Sequence, residues 1–106
     1  MFFNNHCSIH CFHEITIGDN SQFGENVRIY DVNHQFKDRT KLISEQGYSE
    51  GAIHIGSNCW IGSNTVILKN VTIGDNTVIG ANCVIYQSIP PGCLVLNRQQ
   101  LDIKPL

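Results

Sequence analysis

Between Ile55 and Ile89 the chain repeats one six-residue phrase: IGSNCW, IGSNTV, ILKNVT, IGDNTV, IGANCV. Isoleucine returns at Ile55, Ile61, Ile67, Ile73, Ile79 and Ile85. Four residues after each stands a small or β-branched residue: Cys59, Thr65, Val71, Thr77, Cys83 and finally Ile89. Each phrase therefore closes with two inward positions around one outward position, the two-residue alternation of a strand. The polar G-[SDA]-N between strands supplies glycine and asparagine, which tolerate a sharp corner. A short fixed period is the mark of a solenoid, and a hexapeptide period specifies an all-β fold, a parallel β-helix with three phrases to each triangular turn. A helical reading fails, because the apolar positions do not recur at i, i+3, i+4, i+7 and glycine stands in nearly every phrase.

The period continues upstream more faintly, as Ile17-Gly-Asp-Asn-Ser-Gln, Phe23-Gly-Glu-Asn-Val-Arg and Ile29-Tyr-Asp-Val-Asn-His34. The first turns are thus already present, and residues 1–106 read as one β-helix domain. From Gln35 to about Ser49 the period is lost in QFKDRTKLISEQGYS, a charged excursion (about 35–52) that leaves directly after His34. Loops of this length inside a compact repeat domain are usually functional. Ile89-Pro90-Pro91-Gly92 ends the column by removing ladder donors, leaving residues 93–106 as a closing strand and tail.

If the excursion adds about fourteen residues to an otherwise regular coil, His34 falls on one outer row with Val66 and Val84, and Trp60 falls beside Val78. Outward apolar rows of this kind mark interfaces. Roughly four turns at ~4.8 Å make a column only ~20 Å tall with two open ends, so lateral association is expected to supply the missing burial. Phe2 and Phe3 are placed to cover the first turn.

A net charge of −2 with scattered cations offers no basic stripe for nucleic acid. No apolar run approaches the length of a membrane span, and Met1-Phe2-Phe3 runs at once into Asn4-Asn5-His6 rather than a signal-peptide core, so the chain reads as soluble and cytoplasmic. Five cysteines is an odd number. Cys59 and Cys83 occupy the small inward slot that Thr65 and Thr77 fill elsewhere, and Cys11 falls on the inward grid at 11, 17, 23, 29. Only Cys7 and Cys93 lack a packing place, so a disulfide framework is not expected.

The phrases resemble those of the hexapeptide-repeat acyltransferases, whose repeats wind a left-handed parallel β-helix. Ile29-Tyr30-Asp31-Val32-Asn33-His34, followed by an excursion, is similar to the catalytic segment of the maltose, galactoside and xenobiotic O-acetyltransferases in that family. The resemblance makes His34 the general base. It makes Asn4, in Phe3-Asn4-Asn5, an acceptor-binding residue. Trp60 in Cys-Trp-Ile-Gly matches a family tryptophan, while Ser63 and Ala81 fall where the family's backbone lines the pantetheine arm of coenzyme A. The Ser63 amide is the expected oxyanion donor. Acetyl-CoA as co-substrate, a hydroxyl acceptor such as a sugar, a saccharide precursor or a small xenobiotic, and a homotrimer with sites between columns are further implications of the resemblance.

The residues also supply an independent argument for His34, because a neutral imidazole near pH 7 can take a hydroxyl proton while that oxygen attacks a thioester. Two departures stand out. Gln87 replaces a lysine frequent in the family before Ile89-Pro90-Pro91, and Leu96-Asn97-Arg98-Gln99 replaces a G-N-P-A segment. Lys69, Arg98 and Lys104 are then the candidate cations for coenzyme A phosphates.

Three other readings stand beside this one. An amino-sugar acceptor would make the protein an N-acyltransferase. A β-helix without a complete site would be a non-catalytic assembly or ligand-binding module. The cluster His6, Cys7, His10, Cys11 and His13 has zinc-ligand chemistry, but the inward place of Cys11 and the absence of a second cluster oppose a metal. The H-x₄-H of the γ-class carbonic anhydrases is likewise missing after His34, where only His54 remains.

Overall fold

In a computed structural model, which describes all 106 residues, the chain winds into a three-faced parallel column. The first face stacks Phe2–Phe3, Gln22–Phe23, Trp60–Ile61, Val78–Ile79 and Leu94–Val95. The second stacks Ser8–His10, Arg28–Tyr30, Val66–Ile67 and Val84–Ile85. The third stacks Ile15–Ile17, Ile53–Ile55 and Thr72–Ile73, and is closed by a bridge from Ile73 to Ile89.

The alternation read from the phrases is borne out residue by residue. Cys59 and Ile61 are buried around exposed Trp60, and Thr77 and Ile79 around exposed Val78. Isoleucine therefore stacks on isoleucine through the middle of the column, with Phe23 taking that place on an early turn and Phe3 lying on it at 4.3 Å between ring centroids. Phe3 covers the end of the column as expected, whereas Phe2 points outward and is exposed.

Two devices make the corners. Seven asparagines, Asn20, Asn26, Asn58, Asn64, Asn70, Asn76 and Asn82, hold φ between 55° and 65°, a left-handed conformation that asparagine tolerates better than most residues. Their amides ladder vertically, with Asn58 donating to Asn76 and Asn26 to Asn64, each at 2.9 Å. Glycine answers a different demand. A Cβ at Gly62 would stand 2.6 Å from the Ala81 nitrogen on the next turn, so glycine is required there by close stacking rather than by φ.

Register fixes the lengths of the turns. Val66 stands opposite Val84, eighteen residues on, the plain turn of three hexapeptides. Arg28 stands opposite Val66, thirty-eight residues on, so the excursion inserts twenty residues and not about fourteen. The row assignment changes accordingly. It is Arg28, not His34, that shares the row of Val66 and Val84, while Trp60 does stand beside Val78.

The excursion also starts earlier than the loss of period suggested. Val32–His34 pairs antiparallel with Tyr48–Glu50 and forms an arm, so the His34 strand belongs to the arm and not to the column. Ser8 stands opposite Arg28, twenty residues on, which leaves two extra residues in the corner at 11–14. That bulge turns Cys11 outward, and the inward place predicted for it is wrong. Cys7 and Cys93 do have packing places: Cys7 lies against the core one residue before Ser8, as Cys83 does before Val84, and Cys93 is half-buried one residue before Leu94. All five cysteines are free thiols.

Candidate active site

Asp31 sets the geometry of the arm. Asp31 stands at the corner position two after Ile29, where Ser57 and Ser63 stand in later phrases, yet its carboxylate has no solvent exposure and must find donors within the protein. The bulged corner provides them. The Phe12 N–H donates to Oδ1 at 2.7 Å, and the His13 and Glu14 N–H groups donate to Oδ2 at 2.7 and 2.8 Å. Burial alone would raise the Asp31 pKa, but these three amides and the Cys11 thiol hold it below the ordinary carboxylate value. Although Cys11 is exposed, partial desolvation and the neighbouring Asp31 charge push its thiol up. The two extra residues of the first corner thus form a cradle for the carboxylate from which the arm departs.

On the arm, the His34 ring lies 5.0 Å from the Tyr48 ring, and Tyr48 meets Phe12 edge-on at 5.2 Å. Tyr48 therefore links the histidine to the Asp31 cradle. The tip is stapled internally. Gln46 accepts from the Asp38 N–H at 3.0 Å and donates to the Asp38 and Lys41 carbonyls at 2.9 and 3.1 Å. Lys69, on the column, donates to Ser49 Oγ at 3.0 Å and ties the arm back to it. Between arm and column lies a cavity of about 540 Å³ whose lining includes His34, Lys37, Lys41, Ser49 and Lys69.

The other residues singled out by sequence lie elsewhere. Asn4 and Ser63 share the edge between the first and second faces, and Ala81 stacks over Ser63 one turn on. The Asn4 N–H donates to the Phe23 carbonyl, and the Asn4 side chain accepts from the Asn5 N–H at 2.8 Å. Trp60 lies outward on the first face, in a shallow hollow with Gln22, Asn58, Asn76 and Val78. Within one column, then, His34 projects from the corner between the second and third faces, one edge away from Ser63.

The Ser63 edge has one notable feature. At the corner between the third and first faces, the Ser57 N–H is taken by the Asp75 carboxylate of the next turn, at 2.7 Å. The equivalent neighbour of Ser63 is Ala81, which carries no acceptor, and the Ser63 N–H makes no hydrogen bond within the chain. Ser63 Oγ meanwhile accepts from the Glu25 N–H at 3.1 Å, which fixes the corner. The edge thus presents a free, rigidly held amide.

The residues of the histidine- and cysteine-rich segment are dispersed, and no group of three or more His, Cys, Asp or Glu side chains is placed to hold one ion. Cys7 donates to the Gly24 carbonyl at 3.1 Å, His10 stacks on Tyr30 at 4.7 Å, and His13 stands 3.8 Å from Glu50. Sequence reasoning missed Asp31, Tyr48, Lys37 and Lys41, and named Lys69 only as a candidate cation for coenzyme A phosphate. The phrase gave no signal for Asp31, which stands at the corner position that Ser57 and Ser63 hold elsewhere. The other positions carried none either.

The family model described as bacterial transferase hexapeptide (six repeats) matches residues 52–87. Among solved structures, the chain resembles a maltose O-acetyltransferase from Clostridium difficile 630 at 25% identity and a TM-score of 0.70, over 92% of this chain and 62% of that one. It also resembles a hexapeptide-repeat acetyltransferase from Vibrio cholerae O1 biovar eltor, solved with acetyl coenzyme A, at 29% identity and a TM-score of 0.71, over 91% of this chain and 60% of that one. An N-acyltransferase from Bacillus cereus, solved with coenzyme A, shares the fold at 15% identity and a TM-score of 0.69, over 96% of this chain and 68% of that one. No curated protein matches the chain significantly. These superpositions fix the hand of the coil, since an opposite-handed column could not be laid on them: the fold is a left-handed parallel β-helix of hexapeptide repeats. The chain spans about three-fifths of the length of the first two structures. No helix in it is long and apolar enough to cross a membrane.

Proposed function

We propose that the protein is an acetyl-CoA-dependent O-acetyltransferase acting on a small hydroxyl compound, with His34 as general base. The observation that carries this reading is a histidine lining a polar cavity, on a hexapeptide column that is similar to two acetyltransferases and presents a free corner amide on another edge. In the proposed step His34 takes the acceptor hydroxyl proton as the oxygen attacks the thioester carbonyl. The Ser63 N–H receives the oxyanion of the tetrahedral intermediate, whose collapse expels the coenzyme A thiolate. The thiolate then takes the proton back from the imidazolium, and His34 is neutral again. Base catalysis of this kind contributes roughly 10² to 10⁴ in rate, and one oxyanion donor about 10² to 10³.

His34 and Ser63 occupy different edges, so the reading requires the arm of one copy to lie against the Ser63 edge of a neighbour. A homotrimer supplies this contact three times, with outward Trp60, Val78 and Leu94 as the apolar surface between columns. Trp60 and Ala81 then border the coenzyme A channel, and Asn4, on the Ser63 edge, faces the acceptor. The test is thiol release from acetyl-CoA over a panel of sugars and small alcohols. With an active acceptor, His34→Ala should lower kcat by roughly 10² or more while leaving acetyl-CoA affinity within a few-fold. His10→Ala and His54→Ala serve as controls on other sites. Full turnover in His34→Ala, with its loss in either control, would place the active site on another rung.

A further inference from the structure

The cavity beside His34 is strongly cationic in a chain that is acidic overall. Three of the seven Lys and Arg residues line it, Lys37 and Lys41 from the arm and Lys69 from the column, against a single carboxylate, Asp38. None of the three lysines makes an ion pair, since the only lysine so engaged is Lys104 with Asp102. Asp38 is occupied elsewhere. Its Oδ1 accepts from Thr40 Oγ1 at 2.6 Å and from the Thr40 N–H at 3.0 Å, bonds that hold its carboxyl below the usual range. The Gln46 staple fixes the backbone of the tip that carries Lys37 and Lys41, so both lysines line the cavity from a braced loop. Gathering uncompensated ammonium groups in one concavity costs stability through mutual repulsion, and an anionic ligand relieves that cost.

The geometry points to a phosphorylated acceptor: a hydroxyl compound whose phosphate is held by Lys37, Lys41 and Lys69 while its free hydroxyl meets His34. This rests on the acyltransferase reading and adds the class of acceptor. Phosphate is favoured over carboxylate because the cations are three separate ammonium groups reaching in from two structural elements. No arginine, whose planar fork suits a carboxylate, lines the cavity. Three point charges arranged in this way match the spread oxygens of a phosphate dianion. Lys69 has a second role, since its bond to Ser49 ties the arm to the column, and phosphate binding would close arm and column around the acceptor.

The experiment compares paired probe acceptors, glycerol with glycerol 3-phosphate and glucose with glucose 6-phosphate, in the thiol-release assay, with glycerate as the carboxylate arm. The wild type should favour the phosphorylated member by tenfold or more in kcat/KM. In Lys41→Gln and in Lys41→Gln/Lys69→Gln the preference should fall stepwise toward unity, and Lys69→Arg should restore part of it. Equal use of the paired acceptors by the wild type would overturn the inference, as would better use of glycerate. A rise in KM for acetyl-CoA in the variants, with the acceptor preference unchanged, would also overturn it by giving the cations to the coenzyme. If no compound releases thiol, it is the acyltransferase reading that fails, and titration of the labelled protein with inorganic phosphate decides the cavity alone. Amide shifts confined to the arm and Lys69, weakening as salt is added, would uphold a phosphate site there. Their absence would overturn it.

Discussion

Replacing Asp31 by Asn tests whether one buried carboxylate holds the arm. In the native protein its two oxygens divide three amide donors, from Phe12, His13 and Glu14, at 2.7 to 2.8 Å. Asparagine has one oxygen and an NH₂ in place of the other. At least one donor must lose its partner and face a second donor, and the bonds that survive are no longer charge-assisted. A hydrogen bond to a charged group is worth about 1.5 to 3 kcal/mol and a neutral one about 0.5 to 1.5, so losing one outright and weakening two gives about 3 to 5 kcal/mol. The cost should depend on pH with a defined sign. The folded carboxyl is held below its unfolded value of about 3.9, so its contribution is complete above roughly pH 5 and fades as pH falls through the folded pKa. Urea unfolding of wild type and Asp31→Asn from pH 7 down to pH 3 should show a gap that is largest at neutrality and narrows in acid. A neutral-pH gap below about 1 kcal/mol, or one that stays constant with pH, would refute the assignment of the cradle to ionised Asp31.

Cys59 and Cys83 fill slots that elsewhere hold Thr or Val, and burial pushes the Cys83 thiol up. Cys59→Val and Cys83→Thr should each cost about 1 kcal/mol in chemical denaturation, and neither reductant nor EDTA should move the melting temperature; a large EDTA effect would restore zinc to the His6–His13 segment. For assembly, Val78→Asp with Leu94→Asp should dissociate the proposed trimer by burying unpaired charge, read by light scattering; a well-folded wild-type monomer at micromolar concentration would remove the argument. Val66 is the poorer probe, because Arg28 stands beside it in the row and would pair with a carboxylate placed there.

What the sequence disclosed follows the physics of each element. Inward and outward positions were legible because a strand alternates every two residues and the corner motif resets that alternation every six, so Cys59, Trp60 and Ile61 could be placed without coordinates. The arm was not legible. Its two strands, Val32–His34 and Tyr48–Glu50, are short, largely polar and paired only with each other, so no burial imposes a pattern on them. The inserted length was misjudged by six residues, one whole phrase, which is how His34 came to be set beside Val66 in the place of Arg28. Cys11 failed for a related reason, since two extra residues at one corner reverse the direction of a side chain without breaking the coil. Of the candidate site, His34 could be found from its place before the excursion. The lysine cavity could not, because positions 37, 41 and 69 are brought together only by the fold of the arm.

The column also shows why such an insertion is tolerated. The Gly51 N–H donates to the Asp31 carbonyl and the Asn70 N–H to the Gly51 carbonyl, so the chain leaves and re-enters the coil at adjoining points. Ile15 and Ile17 still stand opposite Ile53 and Ile55 across the whole insertion. Because the ends are already held together, extra length costs only the slow logarithmic term of loop closure. The arm can therefore vary in length and chemistry while the isoleucine stack below it is unchanged. The free amide of Ser63 lies on the column, beside Ala81, which lacks an acceptor. On the proposed reading, acyl transfer is thus fixed by the column, and the choice of acceptor is left to the arm.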